Sequence, residues 1–208
     1  MKYKIYIFDT ETETLSLSNA VMPTQLESFF VAFPIDTKVY VHAALNKALY
    51  VYDTIADTIT TISININNYY SDKMPFVEDN KIYFFGGYKS SSYNITCDND
   101  VYCYDIETGT LETFTKKWEL PIFSGKANRN LVIDENMNNY CYGENYNKSI
   151  IIKPHGEDGV FTISLDKDIS FIVNGSSLAY CNGYLYIFGG YSNESGSTAS
   201  KDIFKLKL

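Results

Sequence analysis

The strongest constraint on the fold of this chain is a run of aromatic and β-branched residues that ends in two glycines. It occurs twice, as KIYFFGG at 81–87 and as YLYIFGG at 184–190. The run is apolar at successive positions, so a strand built from it has both faces buried. A radial stack of sheets, each packed between two neighbours, accounts for this pattern better than a single sandwich, in which each sheet has one solvent-exposed face. We expect the glycines to let the chain leave a crowded centre without a Cβ and enter a long loop.

A second feature shows that the run belongs to a repeat of about 50 residues. Three similar strands, YKIYIFD, ALYVYD and DVYCYD, end at Asp9, Asp53 and Asp105, and a polar turn follows each aspartate. Two weaker copies place Lys153 and Lys207 at the aspartate position. The repeat therefore runs the length of the chain.

Each complete repeat contains four short apolar runs of strand length, here called a, b, c and d in chain order. In the third repeat they read MPFVED, KIYFFGG, VYCYD and TLETF, and the c-to-d turn is polar and tight, as in an exposed hairpin. No segment has a helical period. The sequence thus predicts one all-β domain over 1–208, with units at about 1–18 (partial), 28–65, 74–115, 129–165 and 176–208 (partial).

The order of these elements resembles the kelch repeat of β-propellers. The shared features are an apolar strand ending in Gly-Gly, a variable loop, and an apolar strand ending in Tyr-Asp before a Thr/Glu/Gly turn. The resemblance implies an all-β, kelch-like β-propeller of four-stranded antiparallel blades, about four or five in number, with partial first and last units. The tryptophan usual in the last strand of a kelch blade is absent, and Trp118 lies beyond that strand.

The predicted strand count does not fit a closed ring. The five units supply two, four, four, four and three strands, whereas a ring of four-stranded blades needs a multiple of four. The strands at 3–9 and 203–208 are both of type c and compete for one slot in the last blade. We therefore expect an incomplete propeller, either a segment of a longer product or a half whose unpaired blade edges associate with a second chain.

The charge balance excludes two classes of partner. The chain has 17 Lys and Arg against 25 Asp and Glu, a net charge of -8, which opposes binding to nucleic acid and to anionic membranes. Asp9 and Glu11 interrupt the amino-terminal apolar run before an export signal can form, and no stretch is long enough to span a membrane. The sequence predicts a soluble, cytoplasmic protein.

Candidate binding residues lie in the connections between strands, because the interiors of propeller blades are packed. The longest b-to-c connections, 88–99 and 191–200, are rich in Ser, Asn and Tyr, which suit adaptable hydrogen bonding and aromatic contact. Resemblance to kelch propellers implies that b–c and d–a loops bind partners. The candidates are Tyr88, Tyr93, Asn94, Trp118, Arg129, Tyr191, Asn193 and Glu194. The alternative for each is a solvated turn or a packed aromatic.

Two functions are compatible with these loops. The first is a non-catalytic scaffold that binds a protein partner. The second is a carbohydrate-binding or carbohydrate-active propeller, which the stacking faces of Tyr and Trp favour. The sequence alone does not separate the two.

Catalysis has little support in the sequence. A copper site like that of the galactose oxidases needs two imidazoles near tyrosines, but we expect His42 to be packed in strand b and His155 to lie in an exposed turn. An epimerase like those acting on sialic acid needs converging acid and base groups, and nothing in the sequence shows that Glu144, Glu194 and Arg129 converge. We therefore expect neither a cofactor nor a metal.

Overall fold

All the regular structure in the described part of the chain is β-strand. The computed structural model describes residues 3–24, 30–43, 47–66, 73–86, 88–91, 94–97, 100–115, 117–118, 131–143, 149–165, 174–191, 199 and 201–208. The predicted all-β class is confirmed. No helix that could cross a membrane is found within these ranges.

The strands form five blade-type sheets and one separate hairpin. Sheet I contains β1 (Tyr3–Asp9) and β2 (Thr14–Met22). Sheet II contains β3 (Phe30–Ile35), β4 (Lys38–Ala43), β5 (Ala48–Asp53) and β6 (Thr58–Ser63). Sheet III contains β7 (Met74–Glu78), β8 (Lys81–Phe85), β11 (Asp100–Asp105) and β12 (Leu111–Thr115). The hairpin, inserted between β8 and β11, contains β9 (Tyr88–Ser91) and β10 (Asn94–Cys97).

The remaining two sheets follow in chain order. Sheet IV contains β13 (Leu131–Ile133), β14 (Asn139–Gly143), β15 (Ser149–Lys153) and β16 (Phe161–Ser164). Sheet V contains β17 (Asn174–Cys181), β18 (Tyr184–Tyr191) and β19 (Ile203–Lys207).

The predicted strand order within each unit is confirmed. Sheets II, III and IV pair their four strands antiparallel in the order a-b-c-d, so that b and c lie in the middle and a and d at the edges. Sheet I has only c and d, and sheet V has only a, b and c. The central strands β8 and β11 are buried on both faces, as their continuous apolar sequences predict. These are the four-stranded antiparallel units expected from the sequence, with partial first and last units.

The chain divides into two compact units, Met1–Asn65 and Ile66–Leu208. In the first unit, sheet I packs one face on sheet II around a cluster of small and aromatic side chains. That cluster contains Met22, Ala43, Ala48 and Tyr50, with Tyr3, Ile5, Val41 and Ile59 against it. In the second unit, sheets III, IV and V stack face to face in chain order. Cys103 and Phe85 of sheet III meet Cys141 and Ile151 of sheet IV.

Aspartate side chains fix the c-to-d turns that the sequence identified. Asp9, Asp53 and Asp105 each accept a hydrogen bond from the backbone N–H of the third residue after them, at 2.8–2.9 Å. That bond is the largest cause that holds the pKa of each carboxyl below its usual value. The turn therefore depends on an ionised aspartate at the end of strand c.

The fourth repeat is displaced by one position from the predicted alignment. Cys103 lies two residues before Asp105 and faces sheet IV, whereas Ile151 lies two residues before Lys153 and faces sheet III. Because side chains alternate between faces, Lys153 points to the opposite face from Asp105. Placing Lys153 at the aspartate position was therefore wrong, and Pro154 occupies it. Weak sequence similarity in this repeat hid a shift of one residue.

Its displaced position turns Lys153 into a buried connection between sheets. The Nζ atom donates to Glu78 Oε1 of sheet III at 2.8 Å, and also to the backbone carbonyls of Pro154 (2.9 Å) and Glu157. The backbone N–H of Gly156 donates to the same Glu78 oxygen at 2.7 Å. Lys153 is only 1% exposed. One lysine thus holds both its own turn and the neighbouring sheet.

The glycine pairs have a different role from the one predicted. Gly86, Gly189 and Gly190 have φ angles of 68°, 72° and 81°, in the left-handed region that favours glycine. A Cβ at Gly189, however, would meet no described atom within 4 Å. The expected crowding is therefore wrong at Gly189, where backbone conformation alone requires glycine. Strand β18 also continues through its glycines to Tyr191, whereas β8 ends at Phe85.

Candidate functional site

The long b-to-c connection of sheet III forms a strand pair of its own. Strands β9 and β10 pair antiparallel, with Ser91 opposite Asn94 and Tyr88 opposite Cys97. Among the described strands they pair only with each other, so this hairpin belongs to no blade. The sequence predicted a loop here. The backbone positions of Tyr88 and Asn94, two candidate residues, lie at opposite strands of the hairpin, and Tyr93 lies outside the described residues.

The corresponding connection in sheet V begins at the end of β18. Tyr191 is the last residue of that strand and lies opposite Asn174 of β17. Asn193, Glu194 and Arg129 lie outside the described residues. The structure therefore places two of the candidate tyrosines, Tyr88 and Tyr191, directly after the glycines of two b strands.

Trp118 is a packed side chain. Its ring is 6% exposed and lies 5.6–6.2 Å, between centroids, from the rings of Phe76, Tyr83 and Phe85. The indole N–H donates to the backbone carbonyl of Asp158 at 3.2 Å. The residue beyond strand d thus fills the space between sheets III and IV, and it matches the packed-aromatic alternative considered for it.

A cavity of about 190 Å³ lies beside Trp118, on the face of sheet III that is turned toward sheet IV. The ammonium group of Lys117 lies over the rings of Tyr83 and Phe114 at 5.2 and 5.1 Å, and 3.1 Å from a carboxylate oxygen of Asp158. The lining residues are Lys81, Tyr83, Cys103, Asp105, Thr110, Glu112, Phe114 and Lys117. Sequence reasoning missed this cavity. Alternation along strands b, c and d would have placed most of these residues on one face.

Two groups that line the cavity, the phenol of Tyr83 and the thiol of Cys103, are held in their neutral forms. Burial raises the pKa of Tyr83 far above its usual value, and burial is also the largest cause of the raised pKa of Cys103. The two residues are direct cross-strand partners in β8 and β11. Because a thiol attacks only as the thiolate, Cys103 is not an activated nucleophile at neutral pH.

The two histidines occupy the environments expected from the sequence. His42 is buried in β4. His155 lies in the turn after β15, half exposed, with Nε2 3.9 Å from Asp79 Oδ1. The residues described by the structure contain no group of three or more His, Cys, Asp or Glu side chains that could hold a metal ion. Glu144 lies outside them.

Comparison with known protein families bears on the same region. Residues 79–119 match the Kelch motif. The matched segment begins in the turn before β8, includes the β9–β10 hairpin and both central strands of sheet III, and ends just after Trp118. Three of the four strands of sheet III thus lie in a segment that matches the Kelch motif, and the resemblance seen in the sequence is confirmed. No curated protein matches the chain at a significant level.

Proposed function

We propose that this chain is a non-catalytic kelch-like propeller that binds a protein partner through the b–c and d–a connections of its blades. The observation that carries the proposal is the β9–β10 hairpin, which extends from the kelch blade and takes no part in it. Paired strands lose less conformational freedom on binding than an open loop of the same length, and a partner can contact both their backbone and their side chains.

The proposed contact residues are the candidates that lie in these connections. Tyr88 and Asn94 belong to the hairpin, Tyr93 comes just before Asn94 in the sequence, and Tyr191 begins the equivalent connection of sheet V. Asn193, Glu194 and Arg129 complete the set. Trp118, the remaining candidate, is buried between sheets III and IV and is a packing residue.

The test uses two variants of different kinds. In one, residues 87–99 are replaced by the four residues at 44–47, the short connection that joins β4 to β5. In the other, Tyr88 and Tyr191 are both changed to Ala. Phe161→Ala is the matched control, because Phe161 is an exposed aromatic on β16, away from these connections.

Each variant is used to capture proteins from a lysate of the source cells, and the captured proteins are quantified by mass spectrometry. We expect a specific set to bind the wild type and the Phe161→Ala control but to fall at least about tenfold with both loop variants, since contact aromatics commonly contribute 2 kcal/mol or more. Capture that is equal for all four proteins would contradict the proposal. A glycan array probed with the same proteins tests the carbohydrate alternative.

A further inference from the structure

One face of sheet I is apolar and exposed. Ile5, four residues before Asp9, is on the face that packs on sheet II. Side chains alternate along a strand, so Tyr6 and Phe8 point the other way, and Leu17 and Leu15 of β2 lie opposite them. We call this the first outer face. It consists of Tyr6, Phe8, Leu15, Leu17 and Val21, which are 37–65% exposed.

Sheet V also has an outer face that differs in charge. Its inner face contributes Leu178, Leu185 and Ile187 to the core shared with sheet IV. The opposite face is aromatic and basic, and Lys205 Nζ lies 3.7 Å from the ring centroid of Tyr184. We call this the last outer face. It consists of Tyr184, Tyr186, Phe188, Ile203, Lys205 and Lys207.

These two faces are complementary in type. At each junction within the second unit, two faces pack together. One is the face that a sheet turns toward the next sheet in the chain, and the other is the face that this next sheet turns back toward it. Cys103, two residues before Asp105, points to the following sheet. In sheet V, Lys205 occupies the repeat position of Cys103 and Lys207 that of Asp105, so both lysines point in the same direction as Cys103. Phe8, next to Asp9, points away from sheet II, to the side of sheet I on which a preceding sheet would pack. The last outer face therefore presents one half of a blade junction, and the first outer face presents the other half.

The charges at the ends of these faces are also complementary. The turn of sheet I, between β1 and β2, carries Glu11 and Glu13. Lys207 occupies in sheet V the repeat position of Asp9 in sheet I, so lysines and glutamates lie at the same end of their sheets. Lys4, the one cation among the described residues of sheet I, lies toward the other end of β1. The internal junction between sheets III and IV already contains a lysine–carboxylate pair, Lys153 with Glu78.

We propose that the first outer face of one copy of this chain packs against the last outer face of a second copy, and that two such contacts form a closed dimer. Each contact repeats the packing that joins sheets III, IV and V within one chain. The second copy is the occupant we infer, because every copy carries both the complementary half-junction and the opposite charges. Covering large apolar side chains provides the free energy, and the charges fix the pairing.

The test exchanges the charges between the two faces. Variant A carries Glu11→Lys and Glu13→Lys, and variant B carries Lys205→Glu and Lys207→Glu. In a dimer of A alone or of B alone, like charges meet at both contacts. In a mixed dimer of A with B, opposite charges meet at both. Like charges brought together cost several kcal/mol, so the variants separate contact between copies from any effect within one chain.

Molar mass is measured by light scattering coupled to size-exclusion chromatography at increasing concentrations. We expect the wild type at about twice the 23.7 kDa chain mass, A and B each at the monomer mass, and the equimolar mixture again at the dimer mass. Recovery on mixing also shows that both variants are folded. A wild type that stays monomeric, a wild-type assembly larger than a dimer, or a mixture that remains monomeric would each overturn the proposal.

A second arm tests the apolar part of the contact. Leu15→Ser with Leu17→Ser removes two large apolar side chains of the first outer face, and we expect the dimer dissociation constant to rise at least about a hundredfold, since burying these side chains drives the contact. Ile55→Ser is the control, because Ile55 is 79% exposed in the turn between β5 and β6. Equal dissociation constants for both variants would overturn the proposal.

Discussion

At the scale of single residues, one carboxylate joins sheet I to sheet II. Asp57, in the turn before β6, accepts hydrogen bonds from the Ser18 hydroxyl, from the backbone and side-chain amides of Asn19 (both 2.8 Å) and from the Tyr52 hydroxyl (2.9 Å). The hydrogen bond from Ser18 is the largest cause that holds the pKa of Asp57 well below its usual value of 3.8. An ionised Asp57 is therefore part of the folded state.

Replacing this carboxylate should make the stability of the protein less dependent on pH. A carboxyl with a lowered folded-state pKa stabilises the fold fully above its unfolded pKa, about 3.9, and this stabilisation is lost as the pH falls toward the folded-state value. We expect Asp57→Asn to lower the urea midpoint at pH 7, and the difference from the wild type to shrink as the pH is lowered to 3. Circular dichroism measures both midpoints.

Asp36→Asn is the matched control for this measurement. Asp36 is exposed in the turn between β3 and β4 and has a φ of 51°, against 52° for Asp57. We expect the same urea midpoint as the wild type at every pH. A difference between Asp57→Asn and the wild type that stays constant with pH would show that the charge is not what stabilises this junction.

At the scale of elements, Lys153 determines how sheet IV is attached to sheet III. Its side chain is 2% exposed and that of Glu78 is 17% exposed, so this ion pair lies mostly out of water. The Lys117–Asp158 pair differs because the Asp158 side chain is 90% exposed. Solvent screens the second pair much more than the first.

The two lysines should therefore differ in their contribution to the free energy of unfolding. Lys153→Ala leaves Glu78 without its cation and should cost about 3 kcal/mol or more. Lys117→Ala should cost about 1 kcal/mol. Adding Glu78→Leu to Lys153→Met should recover part of the loss, because two apolar side chains leave no unpaired charge. Chemical denaturation measures all four proteins, and equal costs for the two lysines would contradict the assignment.

At the scale of the whole molecule, each described sheet of the second unit depends on its neighbour in the chain. The cluster around Trp118 includes side chains of sheets III and IV, and a separate cluster joins sheets IV and V. Stability in such a stack is approximately a sum of terms for each sheet and each junction. A change at one junction should therefore weaken the sheets on either side of it first.

Trp118→Ala tests this local coupling. Losing a buried tryptophan should cost about 3–5 kcal/mol. Hydrogen–deuterium exchange should then show the largest loss of protection in the strands of sheets III and IV, and a smaller loss in β17 to β19. Phe161→Ala, which removes an exposed side chain of the edge strand β16, should leave the exchange pattern close to that of the wild type. A uniform loss across the second unit would indicate that it unfolds as one block.

Much of the fold could be predicted because the signals are local. The turns after Asp53 and Asp105 can be predicted from the residues that directly follow these aspartates. The burial of strand b can be predicted from its own apolar composition. The candidate site was less predictable. A connection of Ser, Asn and Tyr gives no periodic signal, so the β9–β10 hairpin appeared only in the structure.

The repeat, the a-b-c-d order and the partial first and last units follow from the amino-acid sequence alone, because the repeat period and the turns depend on residues that are neighbours in the chain. The face that each side chain occupies became clear only in the folded protein. Because the fourth repeat is shifted by one residue, the Lys153 side chain lies at the buried junction between sheets III and IV and not at the exposed turn. Trp118 is buried by side chains from strands that are distant in the sequence. The two uncovered faces of sheets I and V are likewise visible only in three dimensions, because exposure depends on what the rest of the chain leaves uncovered.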